Sequence, residues 1–191
     1  MNDFIAIDFE TAMYTRSSAI SIGLVKYHNY KKIEFFYSLI RPPKLYIRPD
    51  FTDIHGLTVE DVKDASDFKF IWDKDICAFI EGMPLAAHNA QFDMGVLRAM
   101  LKWYEIPIPE LPYFCTCALA RHTWPGLESY SLTTLAEHFG IEYNAHNALA
   151  DADTCGKLVQ MAAEKFGKRK SIGGLLRAAG IGTKFLYNEG E

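Results

Sequence analysis

FIAIDFETA, residues 4–12, decides how the chain is to be read. Four apolar residues run without a break into Asp8, and a second acid, Glu10, follows two positions later. The run predicts a short buried strand over residues 4–8. On a strand, residues i and i+2 share a face, so both carboxylates project together from its end. Two unpaired carboxylates that close repel one another and raise a pKa. A divalent cation removes the repulsion, and Mg²⁺ prefers hard oxygen ligands. Taken alone, D-x-E is a weak signal that reads as an ordinary polar strand end in preference to a metal site.

Working outward, AISIGLVKY (19–27) and KIEFFYSLI (32–40) are β-rich runs separated by HNYK, a turn, and predict an antiparallel opening meander. RPPKLYIRP (41–49) reads as a loop, because Pro42, Pro43 and Pro49 lack the donors a strand needs. Beyond it the pattern alternates. Apolar residues recur at helical period over 67–81, MPLAAH (83–88) is a short buried strand, and 90–104 is helical. A strand or extended turn follows around YFCTCA. SYSLTTLAEHFGI then reads as a helix with Ser131 as N-cap and Gly140 as stop signal, and 147–166 as a last long helix ending near Gly167. Strands first, then strand and helix in alternation, predict an α/β fold: a mixed five-stranded sheet flanked by helices.

A chain of 191 residues is expected to form one domain with a core that needs no staples. A hydrophobic share of 49% excludes a mainly disordered protein. No apolar run approaches the roughly 18 residues needed to span a bilayer, and no signal-peptide pattern follows Met1. The expectation is a cytoplasmic protein with no membrane segment. Cys77, Cys115, Cys117 and Cys155 contain only a C-x-C pair, which reads as reduced, mostly buried thiols rather than a zinc site. A net charge of −4 argues against polyanion binding over the whole surface. It does not argue against a nucleic-acid substrate at a site where cations supply positive charge locally. Residues 1–167 are read as the domain and 168–191 as a tail. In the tail, Lys168, Arg169 and Lys170 read as a solvated helix end in preference to a phosphate contact. IGGLLRAAGI reads as a weak helix that docks on the body or on a partner.

Two further stretches carry chemistry. In AAHNAQFD (86–93) a buried strand runs into His88 and Asn89, and a helix opens with Asn89 as candidate N-cap and Asp93 in its first turn. Such a junction delivers side chains to one edge of an α/β sheet. Phe92 there is either core or the wall of a base pocket. In NAHNALADAD (144–153), His146 precedes the last helix, Asn144 or Asn147 caps it, and Asp151 lies in its early turns. Asp153 is about 200° round the helix from Asp151 and reads as solvated.

Together, D-x-E ending the first strand, H-N-x-x-F-D in the middle and H-x-A-x-x-D opening the last helix resemble the DEDD-type 3′→5′ exonucleases with a histidine in the third motif. That DnaQ-like group includes the proofreading subunit of bacterial DNA polymerase III, oligoribonuclease and RNase T. The resemblance runs from about residue 4 to 164 and takes in TDIHGLT (52–58), Thr116 to Arg121 and the SYSLTTLAEHFGI helix. One departure is Cys115, where an acid often precedes the threonine.

The resemblance implies an RNase H-like fold and phosphodiester hydrolysis with two Mg²⁺ or Mn²⁺ ions. Asp8 would bridge both ions. Glu10 and Asp151 would help hold the ion that activates water, and Asp93 would act through water or the second ion. His146 would be the general base, since imidazole titrates near neutrality. Candidate substrate contacts are Phe9, backbone near Thr11, His55, His88, Asn89 and Phe92. The expected substrate is the 3′ end of single-stranded DNA, with RNA as the alternative. A non-catalytic module and a small-molecule metallohydrolase are the rival classes. No polymerase or helicase motif stands in the sequence, so a free-standing nuclease or a subunit working with a polymerase or repair partner in trans is expected.

Overall fold

The computed structural model describes residues 2–142, 144–167 and 170–187. Lys168 and Arg169 of the basic cluster, and residues 188–191, lie outside the described residues.

The opening meander is present. Strand β1 (Phe4–Thr11) pairs antiparallel with β2 (Ala19–His28), and β2 with β3 (Lys31–Leu39). Asn29 and Tyr30, both at positive φ, make the tight turn between β2 and β3, as the right-handed twist of a hairpin favours. β4 (Leu85–Ala87) lies parallel to β1 on its other side, and β5 (Leu111–Cys115) parallel to β4. The sheet therefore changes from antiparallel to parallel at β1. Because β1 and β4 run the same way, their C-terminal ends open onto one edge, where sites form in open α/β sheets.

The tail adds a sixth strand to the five the sequence predicts. β6 (Lys184–Leu186) pairs antiparallel with β5, giving the order β3-β2-β1-β4-β5-β6. The helix before it, α9 (Ile172–Ala178), is capped by the Ser171 hydroxyl and buries Ile172, Leu175 and Leu176 against the body. Tyr30 Oη donates to the Lys170 carbonyl at 2.8 Å, tying the β2–β3 turn to the tail.

Alternation along β1 sorts the two faces. Ile5, Ile7 and Phe9 join Ile22, Leu24 and Leu85 in one core layer. That layer is covered by a helical stretch formed from α3 (Phe68–Ile71), a π-helical turn (Trp72–Ile76) and α4 (Cys77–Ile80), and by α5 (Gln91–Trp103). Phe4 and Ala6 face the opposite way, with Tyr27, Ala86 and Phe114, onto α8 (Ala148–Phe166). Phe4 stacks on Tyr27 with ring centres 4.7 Å apart. Burying each such ring contributes about 1.5–3 kcal/mol.

Several sequence expectations are refined. Pro49 begins a helix, α1 (Pro49–His55), at the position where its missing N–H costs nothing, and α2 (Val59–Val62) follows behind a Thr58–Asp61 capping box. Thr116 opens α6 (Thr116–Thr123) directly after β5, and α7 (Leu132–Phe139) carries the Ser131 cap and Gly140 stop as predicted. The four cysteines are free, but Cys77 is exposed and only Cys117 and Cys155 are fully buried. Asp153 is not simply solvated. It pairs with Lys32 at 2.8 Å and Lys157 at 2.9 Å, which hold its carboxyl below the usual range against the opposing effect of burial.

Candidate active site

Asp8 and Glu10 leave β1 on the α8 side, two residues apart, as the strand period requires. α8 supplies Asp151 from its first turn. Asn147 caps that helix, its Oδ1 accepting from Ala150 N at 3.1 Å, so the structure selects Asn147 over Asn144. α5 supplies Asp93 from its own first turn, where the helix dipole favours an anion. Asp93 is 1% exposed, and its Oδ1 accepts from the Phe9 backbone N–H at 3.2 Å. Three segments far apart in sequence thus bring four carboxylates to one sheet edge.

A feature that sequence reading passed over explains how α8 comes so close. Gly23 lies opposite Asp8 in the β1–β2 register, and a Cβ built on it would fall 2.2 Å from the Ala148 carbonyl oxygen. The backbone of α8's first turn therefore rests directly on the sheet at Gly23, three residues before Asp151. The available signal was a glycine in the interior of a strand, which marks close backbone approach.

The electrostatics of this cluster are unfavourable without a counter-charge. Burial, then the charges of Asp93, Asp151 and Glu10, push the Asp8 carboxyl well above its ordinary range. Burial and the Asp151 charge raise Glu10 to about 7. Burial lifts Asp93 to about 8 despite the Phe9 hydrogen bond. Burial takes Asp151 to about 6, opposed by the neighbouring His146. Asp151 Oδ1 is buried with no hydrogen-bond partner. Glu10, His146 and Asp151 each offer a ligand atom, and these lie within 4.8 Å of one another. Hard oxygen donors, mutual repulsion and an orphaned buried oxygen fit a divalent-cation site.

His146 stands at the exposed rim, at φ 61° in the turn before Asn147. His55, the last residue of α1, lies near Thr11 and His146. Its Nδ1 accepts from Leu57 N at 3.0 Å, so the neutral ring carries its proton on Nε2, which is buried near the Thr11 backbone. Burial lowers its pKa, opposed by the Thr11 backbone and helped by the nearby His146. Thr11 is buried at the end of β1, just past an irregularity in the pairing with β2.

The remaining predicted contacts separate. Phe9 is 3% exposed and its ring belongs to the core, because odd positions of β1 face α5; its backbone N–H is what serves the site. His88 turns inward. Its Nε2–H donates to the Tyr130 carbonyl at 2.8 Å, and its Nδ1 accepts from the Thr116 hydroxyl at 3.0 Å. Thr116 thereby buttresses the strand end, with Cys155 Sγ 3.2 Å away, a role the sequence did not reveal. Asn89 does not cap α5. It sits at φ 59° one residue too early, exposed at the mouth of a cavity of about 450 Å³ that Arg121 and Ser131 also line. Phe92 is 43% exposed beside the cluster, with the Arg16 guanidinium 5.5 Å from its ring centre.

Fold and site together define a hydrolytic nuclease of the DEDD type, and comparison with known proteins gives the family. The RNase T exonuclease family model matches residues 5–159, and the chain belongs to that exonuclease family. DNA polymerase III PolC-type of Caldanaerobacter subterraneus subsp. tengcongensis is 30% identical over 166 residues, covering 85% of this chain. The protein of the same name from Oceanobacillus iheyensis is 32% identical over 171 residues, again 85% of this chain. The chain spans 12% of the length of each of these relatives. Among solved structures, the nuclease domain of 3′hExo, a DEDDh family member bound to rAMP, superimposes with a TM-score of 0.77 at 15% identity, covering 88% of this chain and 95% of that one. Exonuclease X in complex with 5′ overhanging duplex DNA gives 0.73 at 23% identity, covering 92% and 99%. These likenesses establish the RNase H-like exonuclease fold.

Proposed function

We propose that this chain removes nucleoside 5′-monophosphates one at a time from the 3′ end of single-stranded DNA, using two divalent cations held by Asp8, Glu10, Asp93 and Asp151. The observation that carries the reading is the convergence of four self-repelling carboxylates, one with an unpartnered buried oxygen, beside a rim histidine. Bound Mg²⁺ or Mn²⁺ would neutralise the cluster and stabilise both the attacking and the leaving oxygen of an in-line displacement. Asp8, which feels the charge of the other three acids, would be shared between the ions. Glu10 and Asp151 would help hold the ion that activates water, and Asp93 is fixed in place by the Phe9 N–H. His146, exposed and adjacent to Glu10 and Asp151, accepts the proton of the attacking water as general base. His55, beside Thr11, and backbone near Thr11 contact the terminal nucleotide. Phe92 offers a face to a base.

The polymerase relatives, at 30–32% identity, favour DNA over RNA and a proofreading or repair setting with a polymerase partner. No helix among the described residues is long and apolar enough to cross a membrane. The proposed place of action is the cytoplasm. The test incubates 5′-labelled single-stranded DNA and RNA of the same sequence with the protein in Mg²⁺ or Mn²⁺, beside Asp8→Ala and an EDTA control. A ladder of 3′-shortened products that requires metal and Asp8, faster on DNA, is expected. Absence of a ladder on both polymers would reject the nuclease reading, and a faster RNA ladder would reassign the substrate.

A further inference from the structure

Two adjoining clefts run along α5 away from the carboxylate cluster. One, of about 320 Å³, is lined by Arg16, Arg98 and Lys102. The next, of about 380 Å³, shares Gln91, Gly95 and Arg98 with it and continues to Lys184, Phe185 and Tyr187 on β6 and just beyond. Among the described residues, no acidic side chain lines either cleft. The cleft around Lys26 and Lys74, by contrast, also holds Glu34, Asp75 and Glu81.

The groove is anchored to the site. Arg16 Nη1 donates to the carbonyls of Gln91 at 3.0 Å and Phe92 at 2.7 Å, in the same turn of α5 as Asp93. Its guanidinium occupies space that only a glycine leaves, since a Cβ at Gly95 would fall 2.1 Å from Nη1. The first cation is therefore pre-positioned beside the catalytic edge. From Gln91 to Lys102 the helix rises about 16 Å, room for several phosphates. Exposed aromatics mark both ends: Phe92 next to the cluster, and Phe185 and Tyr187, 45% and 53% exposed, at the far side.

We propose that this groove binds the single-stranded segment of the substrate on the 5′ side of the nucleotide being removed, its phosphates held by Arg16, Lys102 and Lys184 and its bases stacked on Phe185 and Tyr187. The proposal rests on the nuclease reading above and extends it to residues outside the catalytic motifs. Cations that track a backbone, interleaved with aromatic faces, are how single strands are gripped without regard to sequence. A duplex would leave the aromatics without unstacked bases to meet. The tail thus contributes to substrate binding through β6.

The test compares the wild type with Lys102→Glu/Lys184→Glu, Phe185→Ala/Tyr187→Ala and the control Lys74→Glu. Substrates are a fifteen-residue oligothymidylate, the same strand annealed to leave a duplex, and the nitrophenyl ester of thymidine 5′-monophosphate, which is too short to reach the groove. In both groove variants KM for the single strand rises about tenfold or more, while kcat/KM on the ester stays within about twofold. The slope of log KM against log salt falls by about 1.4 in the double lysine variant, roughly 0.7 for each lost contact. An unchanged KM, an equal loss on the ester, or an equal rise in Lys74→Glu would overturn the assignment. A loss seen only with the annealed substrate would overturn the single-strand assignment. A wild type that cleaves the ester while the variants match it on the oligomer refutes the groove alone. A wild type inert on every substrate refutes the nuclease reading with it.

Discussion

Replacing Gly23 by alanine adds one methyl group at a position that contains no catalytic atom. The built Cβ would lie 2.2 Å from Ala148 O, 2.4 Å from Ala148 C and 2.5 Å from Leu149 Cα, all of them backbone. No rotamer change relieves such a clash. Reaching the 3.4 Å at which ordinary contact begins requires the first turn of α8 to retreat by about 1 Å. Asp151 is in that turn, and His146 in the loop leading to it, so both move away from Asp8 and Glu10. Overpacking of this kind costs about 1–3 kcal/mol of stability, and misplacing catalytic groups by about 1 Å costs about 10²-fold in rate. The assay is kcat on a 5′-labelled oligonucleotide at saturating Mn²⁺, together with the apparent Mn²⁺ affinity and the thermal midpoint. Gly182→Ala, where an added Cβ meets nothing within 4 Å, is the control. The expected result is a folded Gly23→Ala protein with a midpoint lowered by several degrees, weaker Mn²⁺ binding and kcat down about a hundredfold. Native kcat and Mn²⁺ affinity in Gly23→Ala would refute the claim that close approach of α8 to the sheet assembles the site.

Other outcomes follow from the same geometry. His146→Ala lowers kcat by about 10²–10⁴-fold with Mn²⁺ binding largely retained; near-native turnover would remove the general-base assignment. In EDTA, Asp93, Glu10 and Asp151 have folded pKa values raised to about 8, 7 and 6, so their protonated forms favour the fold. Their contribution is complete below the ordinary carboxylate range near pH 4 and is lost as pH rises through about 6 to 8. Metal-free protein should therefore melt several degrees lower at pH 8.5 than at pH 5.5, and Mn²⁺ should abolish most of the difference. Asp93→Asn, which keeps an oxygen for the Phe9 N–H, should raise the EDTA midpoint at pH 8.5; no rise would contradict the repulsion described for the cluster. Leu175→Ala in α9 removes a fully buried side chain and should cost about 2–5 kcal/mol; an unchanged midpoint in calorimetry would show that the tail helix contributes nothing to the fold.

The parts legible in the sequence were those written in local pattern. Runs rich in β-formers around the HNYK turn announced β2 and β3, and the Ser131 and Gly140 signals bounded α7 because caps and stops are local chemistry. The acids were legible for another reason: each stands at a strand end or in a first helical turn, and only their joint order separates them from ordinary termini. What escaped depends on partners distant in sequence. β6 is three residues long and exists because β5 offers an edge to pair with. His88 looks like a site residue until Thr116 and Tyr130 take both its nitrogens. Asp153 looks solvated until Lys32, 121 positions away, reaches it. Phe9 alternates correctly with Asp8 and Glu10, and that alternation already placed its ring on the opposite face from them. Pro49 was read as a breaker, whereas the first turn of a helix is where proline fits.

The central claim is that Asp8, Glu10, Asp93 and Asp151 form a cation site and not a set of solvated termini. Calorimetric titration of the metal-free wild type with Mn²⁺ at pH 7.5, repeated on Asp8→Ala, tests it most directly. Two saturable Mn²⁺ ions per wild-type chain are predicted, with release of protons from carboxyls that are protonated before binding, and the loss of at least one ion in Asp8→Ala. Titration of the wild type with no saturable binding, or binding identical in Asp8→Ala, would contradict the account.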